Sequence, residues 1–144
     1  MTSFKKVYDA FLSKILDDEW EDWNYEEVEE DLFTLLQGAM ARFKFPRVSL
    51  DYTEDGFNAD LSNDEIQILA TYMKCEWLNR TILTWENVKP LYDERDFSQA
   101  NLIDKFNAML AGELKNAAKL ESTYYRSINN KPFSYRQLAT QIND

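Results

Sequence analysis

The chain has 144 residues, a formal net charge of −10 and a sequence pI near 4.5, which fits one domain and a surface that repels phosphate backbones. It has no histidine and a single cysteine, so zinc fingers, Ser-His-Asp triads, Cys-His pairs and internal disulfides are excluded within one copy. Aromatics make up 15% of residues, with only three Gly and three Pro, a mix that favours helices and large contact surfaces over a loop-rich or disordered chain.

The N-terminus, Met-Thr-Ser-Phe-Lys-Lys, runs into an amphipathic pattern without the continuous apolar run of a signal peptide or membrane span, and an intracellular protein is expected. From Ser3 to Asp17 the apolar residues Phe4, Val7, Tyr8, Phe11, Leu12, Ile15 and Leu16 predict a first helix. Five acids around Trp20 and Trp23, from Asp17 to Asp22, break the pattern as an exposed turn. Asn24 is a good N-cap for a second helix from Tyr25 to about Phe43, whose first turns carry Glu26, Glu27, Glu29 and Glu30 at the favourable end of the dipole. Val28, Leu32, Leu35, Leu36, Ala39 and Phe43 form its buried face.

Pro46 ends that helix, and the period changes to two: Val48, Leu50 and Tyr52 alternate, then Phe57, Ala59 and Leu61. Thr53-Glu54-Asp55-Gly56 between them predicts a β-hairpin with an Asp-Gly turn. Two strands alone are marginal in water, so this hairpin must lean on the helices or pair with another copy of the chain.

Ser62 and Glu65 form a capping box ahead of Ile66, Leu69, Ala70, Met73, Trp77 and Leu78, predicting a third helix that ends near Asn79 to Leu83. Trp85, Val88 and Leu91 then fall in a short turn that Pro90 stops. A long fourth helix follows from Ser98 to Ile128, with Ser98 as N-cap and a seam of Leu102, Phe106, Met109, Leu110, Leu114, Ala117, Leu120, Tyr124 and Ile128. At about 45 Å it exceeds what a compact domain of this size needs. Asn129-Asn130 with Pro132 is a breaker, and Phe133, Tyr135, Leu138 and Ile142 lie in a polar tail that folds against a neighbour.

Nothing along the chain reads as a reactive centre. The acids from Asp17 to Asp22 lack a glycine to bend them around one cation. Asp51, Asp55 and Gly56 match three positions of a calcium loop, but Thr53 and Ser62 stand where further acidic ligands are required. Gly38, Gly56 and Gly112 are isolated, which rules out a glycine-rich phosphate loop, and Gly38 and Gly112 are expected to permit close helix packing. Cys75 reads as a small core residue, and the acidic neighbours of Trp20 and Trp23 favour core or interface roles over base stacking. No catalytic residue, cofactor or metal is expected, and the chain is read as a non-enzyme.

The segment from Leu61 to Leu78, LSNDEIQILATYMKCEWL, followed by Phe97-Ser-Gln-Ala-Asn-Leu102, resembles head-to-tail connector (neck or portal adaptor) proteins of tailed bacteriophages. The resemblance spans about half the chain, and its motifs are structural. It implies a mostly helical virion protein, made in the host cytoplasm, that forms a homo-oligomeric ring, commonly of twelve copies, between the portal protein and the tail or neck proteins below. It also implies that the C-terminal segment docks on the portal, with Phe133, Tyr135, Arg136, Leu138 and Ile142 as candidate contacts. Adaptor, stopper and tail-completion layers are all compatible with it. Twelve copies would bring roughly −120 formal charges around a channel, a like-charged wall past which DNA slides without sequence-specific binding.

The expected fold is mainly α, a bundle of three to four helices with one long C-terminal helix and a single β-hairpin at about 47–61. Residues 1–130 form the helical domain and 131–144 a docking tail. The expected function is that of a head-to-tail connector continuing the DNA channel to the tail. The alternative, from the acidity alone, is a DNA-mimic inhibitor of a nucleic-acid-binding enzyme, with rows of exposed carboxylates.

Overall fold

A computed structural model describes residues 1–15, 24–88, 97–128 and 131–132. The protein is mainly helical, with a small three-stranded antiparallel sheet and a long C-terminal helix. The elements run β1 (Thr2–Ser3), α1 (Phe4–Leu12), α2 (Tyr25–Arg42), β2 (Tyr52–Thr53), β3 (Gly56–Phe57), α3 (Asn63–Val88), α4 (Phe97–Tyr125), β4 (Ser127–Ile128) and β5 (Lys131–Pro132).

α3 is the axis of the fold and packs against α1, α2 and α4. Both ends of the α2 and α3 capping signals are realised. Asn24 Oδ1 accepts from the Glu27 N–H at 2.9 Å while Glu27 reaches back to the Asn24 N–H. Ser62 Oγ likewise accepts from the Glu65 N–H, and Glu65 Oε1 from the Ser62 N–H at 2.7 Å. Charge pairs join the neighbours: Arg80 forks onto Asp31 and Arg42 pairs with Glu76, an antiparallel order, between α3 and α2, and Lys74 meets Glu113 at 3.0 Å between α3 and α4.

The core joins Val7 and Phe11 of α1, Leu32, Leu35, Leu36 and Ala39 of α2, Phe57 of β3 and Leu69, Met73 and Leu78 of α3. Because α3 has helices on several sides, it buries residues outside the face expected from its spacing: Ile68, Thr71, Cys75 and Ile82. The Thr71 hydroxyl is satisfied internally by donating to the Gln67 carbonyl at 2.8 Å.

Several boundaries differ from the sequence reading. α1 ends at Leu12 rather than Asp17, where the Ser13 hydroxyl donates to the Ala10 carbonyl and the last turn tightens, with Lys14 N–H bonding to Phe11 O. α3 does not stop near Asn79 to Leu83 but continues as one 26-residue helix to Val88, taking in Trp85 and Val88 of the segment read as a separate turn, while Pro90 and Leu91 lie outside the described residues. The Thr81 and Thr84 hydroxyls bond back to the carbonyls of Trp77 and Arg80, so their polar groups are satisfied within the helix. α4 starts at Phe97, which puts Ser98 inside the first turn instead of at the cap, and it ends at Tyr125. Ile128 therefore belongs to β4, which pairs with β5 in a second hairpin, Ser127 opposite Pro132.

The expected single hairpin is the core of a larger sheet. β2 pairs with β3, Tyr52 opposite Phe57 and Thr53 opposite Gly56, so the two turn residues are Glu54 and Asp55, not Asp55 and Gly56. The N-terminus supplies the support the hairpin needed: β1 pairs with the other side of β3, Thr2 opposite Phe57 and Ser3 opposite Gly56. Gly56 has a φ of +147°, and a Cβ there would lie 2.4 Å from the Thr2 carbonyl oxygen, so only glycine allows β1 this close. Thr2 Oγ1 then accepts from the Leu61 N–H at 2.8 Å, and the N-terminal ammonium meets Asp60.

Candidate interaction surfaces

Three arrangements of side chains stand out. The first is a groove of about 790 Å³ between the start of α1, the second turn of α2 and the β2–β3 turn. Its apolar wall is a mutually packed aromatic set: ring centroids lie 5.4 Å apart for Phe4 and Phe33, 5.8 Å for Phe4 and Tyr52, and 5.5 Å for Phe33 and Tyr52. Edge and tilted contacts of this kind hold each ring in place. Carboxylates ring the opening, Glu29 and Glu30 from α2 and Glu54 and Asp55 from the turn, with Lys5 as a lone counter-charge among the lining residues. Tyr8 also lines the groove, and burial, reinforced by the negative Glu29, pushes its phenol up to about 12. The groove has the chemistry of a cation receptor: ring faces that attract positive charge, and a carboxylate rim.

The second is the outward face of α4. Residues Lys105, Ala108, Gly112, Lys115 and Lys119 are spaced by threes and fours, so they line one side of the helix, and all five are exposed. Asp104 is the one exposed carboxylate between residues 101 and 126, and Arg126 extends the cationic line at the end. Among the described residues no ion pair involves Lys105, Lys115 or Lys119. A Cβ on Gly112 would meet nothing within 4 Å, so this glycine does not serve helix packing as expected. Gly38 does: a Cβ there would lie 2.7 Å from Glu76 Cδ. On the inward face Ala117 and Tyr124 are buried and Leu102, Phe106, Leu110 and Leu120 half-buried, while Met109 and Leu114 sit 37% exposed at opposite edges of the stripe. Ile103, outside the seam read from spacing, is buried.

The third is a polar knot at the end of α4. The Tyr124 hydroxyl donates to Glu65 Oε2 at 2.8 Å and accepts from the Arg47 N–H at 2.7 Å. The Arg47 guanidinium lies 4.6 Å from the Tyr124 ring centroid and donates to the Tyr124 carbonyl at 2.6 Å. A cation at the carbonyl end of a helix is favourably placed. Burial is the main reason the Tyr124 phenol is pushed up to about 12. Beside the knot, Phe45 and Tyr125 meet edge to face with ring centroids 6.5 Å apart, 72% and 41% exposed. The knot is built for anchoring, since the Tyr124 hydroxyl and both Glu65 carboxylate oxygens are engaged in it.

The other expected positions sort as follows. Phe133, Tyr135, Arg136, Leu138 and Ile142 lie outside the described residues, as do the acids from Asp17 to Asp22, Trp20 and Trp23. Asp55 lies in the β2–β3 turn, Gly56 opens β3, and Asp51 directly precedes β2. Among the described residues no group of three or more His, Cys, Asp or Glu side chains is arranged to hold a metal ion, and no helix is long and apolar enough to cross a membrane. Cys75 is fully buried, and burial pushes its thiol up to about 11. The sequence reading missed the lysine line, although its three-four spacing was a signal that could have found it; the groove left no such signal, because its walls are far apart in the chain.

No family model, curated protein or solved structure matches the chain.

Proposed function

We propose that this chain is a structural assembly protein without enzymatic activity, a head-to-tail connector that forms a ring beneath the portal of a tailed bacteriophage and continues the DNA channel to the tail. The observation that carries the reading is the presence of two unlike surfaces on different elements of one subunit. A cationic face on α4 points away from α3, and a carboxylate-rimmed aromatic groove lies between α1, α2 and the sheet. Unlike surfaces on one subunit associate head to tail, and such contacts close into rings or run on as filaments. The remaining exposed acids, among them Asp51, Asp60 and Asp64, would then face the channel, where like charge keeps duplex DNA from sticking. Residues 131–144, with Phe133, Tyr135, Arg136, Leu138 and Ile142, would dock on the portal.

Against the DNA-mimic alternative stands the α4 face itself: a stripe of lysines on one side works against an imitation of the phosphate backbone. Light scattering and negative-stain microscopy of the purified protein, alone and mixed with portal assemblies, test the proposal. Rings coaxial with the portal are expected; a chain that stays monomeric under both conditions, or that binds a nucleic-acid enzyme one-to-one in competition with DNA, overturns it.

A further inference from the structure

We propose that the groove between α1, α2 and the β2–β3 turn is the receptor for the outward face of α4 from a second copy of this chain. The inference rests on the ring-forming reading above and assigns its subunit contact. The receptor offers Phe4, Phe33 and Tyr52 as a wall and Glu29, Glu30, Glu54 and Asp55 as a rim. The occupant offers the complement in charge and shape. Ala108 and Gly112 leave the α4 backbone bare at the centre of its outward face, with nothing within 4 Å of the Gly112 Cβ position. Lys105 stands on one side of that gap and Lys115 and Lys119 on the other, Lys105 and Lys115 about 15 Å apart along the axis.

A helix face with small residues at its centre can seat low against the aromatic wall. The lysine stems then cover the rings while their ammonium groups reach the carboxylates on either side. In a chain of charge −10, electrostatic attraction between two copies arises only where a local cationic surface meets a local anionic one. The α4 face is such a surface, and the groove rim is its counterpart. Receptor and occupant lie on different elements, so the occupant's own groove stays open for a third copy and the contact propagates.

Charge reversal tests the pairing directly. One variant carries Lys115→Glu and Lys119→Glu, the other Glu29→Lys and Glu30→Lys, and circular dichroism with thermal melts checks that each folds. Alone, each presents like charge to itself and self-association is expected to weaken at least tenfold by light scattering. Mixed one-to-one, each α4 face meets a groove of opposite charge, and assembly is expected to return as an alternating heteromer. Gly112→Trp adds a steric arm: the fold is expected to be unchanged and assembly lost. If the variants fold yet assemble like the wild type, or if the mixture stays dissociated, the contact lies elsewhere; rings that persist then leave the connector reading intact. If the lysine variant loses binding to a DNA duplex while self-association is untouched, the α4 face serves phosphate and the inference fails. A wild-type chain that remains monomeric alone and with portal overturns both.

Discussion

The hydroxyl of Tyr124 joins the last turn of α4 to the first turn of α3 by donating to Glu65 Oε2 at 2.8 Å. Glu65 already accepts from the Ser62 N–H with its other oxygen, so one buried carboxylate both caps α3 and ties down α4.

Removing the hydroxyl with Tyr124→Phe leaves Glu65 Oε2 and the Arg47 N–H without their partner. The expected cost is about 2 kcal/mol, since buried polar groups lose their compensation, or roughly 5–10 °C in Tm. Glu65→Gln keeps one acceptor for two donors and is expected to cost about 1 kcal/mol. The double variant should cost less than the two single changes taken together, because they break the same bond. Urea unfolding of the three variants measures this, and strict additivity would show that the contact contributes nothing.

The glycines are expected to part company. Gly56→Ala forces a Cβ onto the Thr2 carbonyl and a side chain onto a φ of +147°, so a loss of about 2 kcal/mol or more is expected, with release of β1. Gly112→Ala adds a methyl in open space on a helix and is expected to stabilise by up to about 1 kcal/mol. Thermal melts decide both signs.

Cys75 is expected to be inert until the protein unfolds. With its thiol pushed up from 9.0 to about 11 by burial, the thiolate population near pH 8 falls about a hundredfold, before any loss of access. A thiol-reactive dye should label it only in denaturant. Labelling of the native chain at the rate of a free thiol would contradict its placement in the core.

Alkaline pH should weaken the fold in a defined window. Tyr8 and Tyr124 titrate near 12 in the folded chain against 10.0 when unfolded, burial being the leading cause for each. Burial, followed by the Glu121 carboxylate, raises Tyr72 as well. The folded state therefore holds protons that the unfolded chain releases above pH 10. The stability from keeping these phenols neutral is complete below pH 10 and is lost as pH rises through 12. The urea midpoint should drop between pH 10 and pH 12, and Tyr8→Phe should flatten the drop.

What could be read from the residues was what depends on neighbours along the chain. The caps at Asn24 and Ser62, the apolar face of α2 and the existence of a long terminal helix all follow from spacings of three and four residues. The turn before Phe57 was seen, but its centre was misplaced by one residue. An Asp-Gly pair has the residue types of a two-residue turn, whereas Gly56 is glycine because β1 passes over it. The break expected after Leu78 did not occur, since the β-branched Thr81 and the neighbouring Thr84 satisfy their hydroxyls inside the helix.

The sequence by itself determined a helical, acidic chain with few turns, because helix capping and apolar periodicity are local and net charge is a sum over residues. Only the tertiary structure decided that α3 is the central helix, that the N-terminus completes the sheet, and that Phe4, Phe33 and Tyr52 meet beneath four carboxylates. Those facts depend on which surfaces exclude water against one another, and contacts between residues far apart in the chain leave no periodic trace along it.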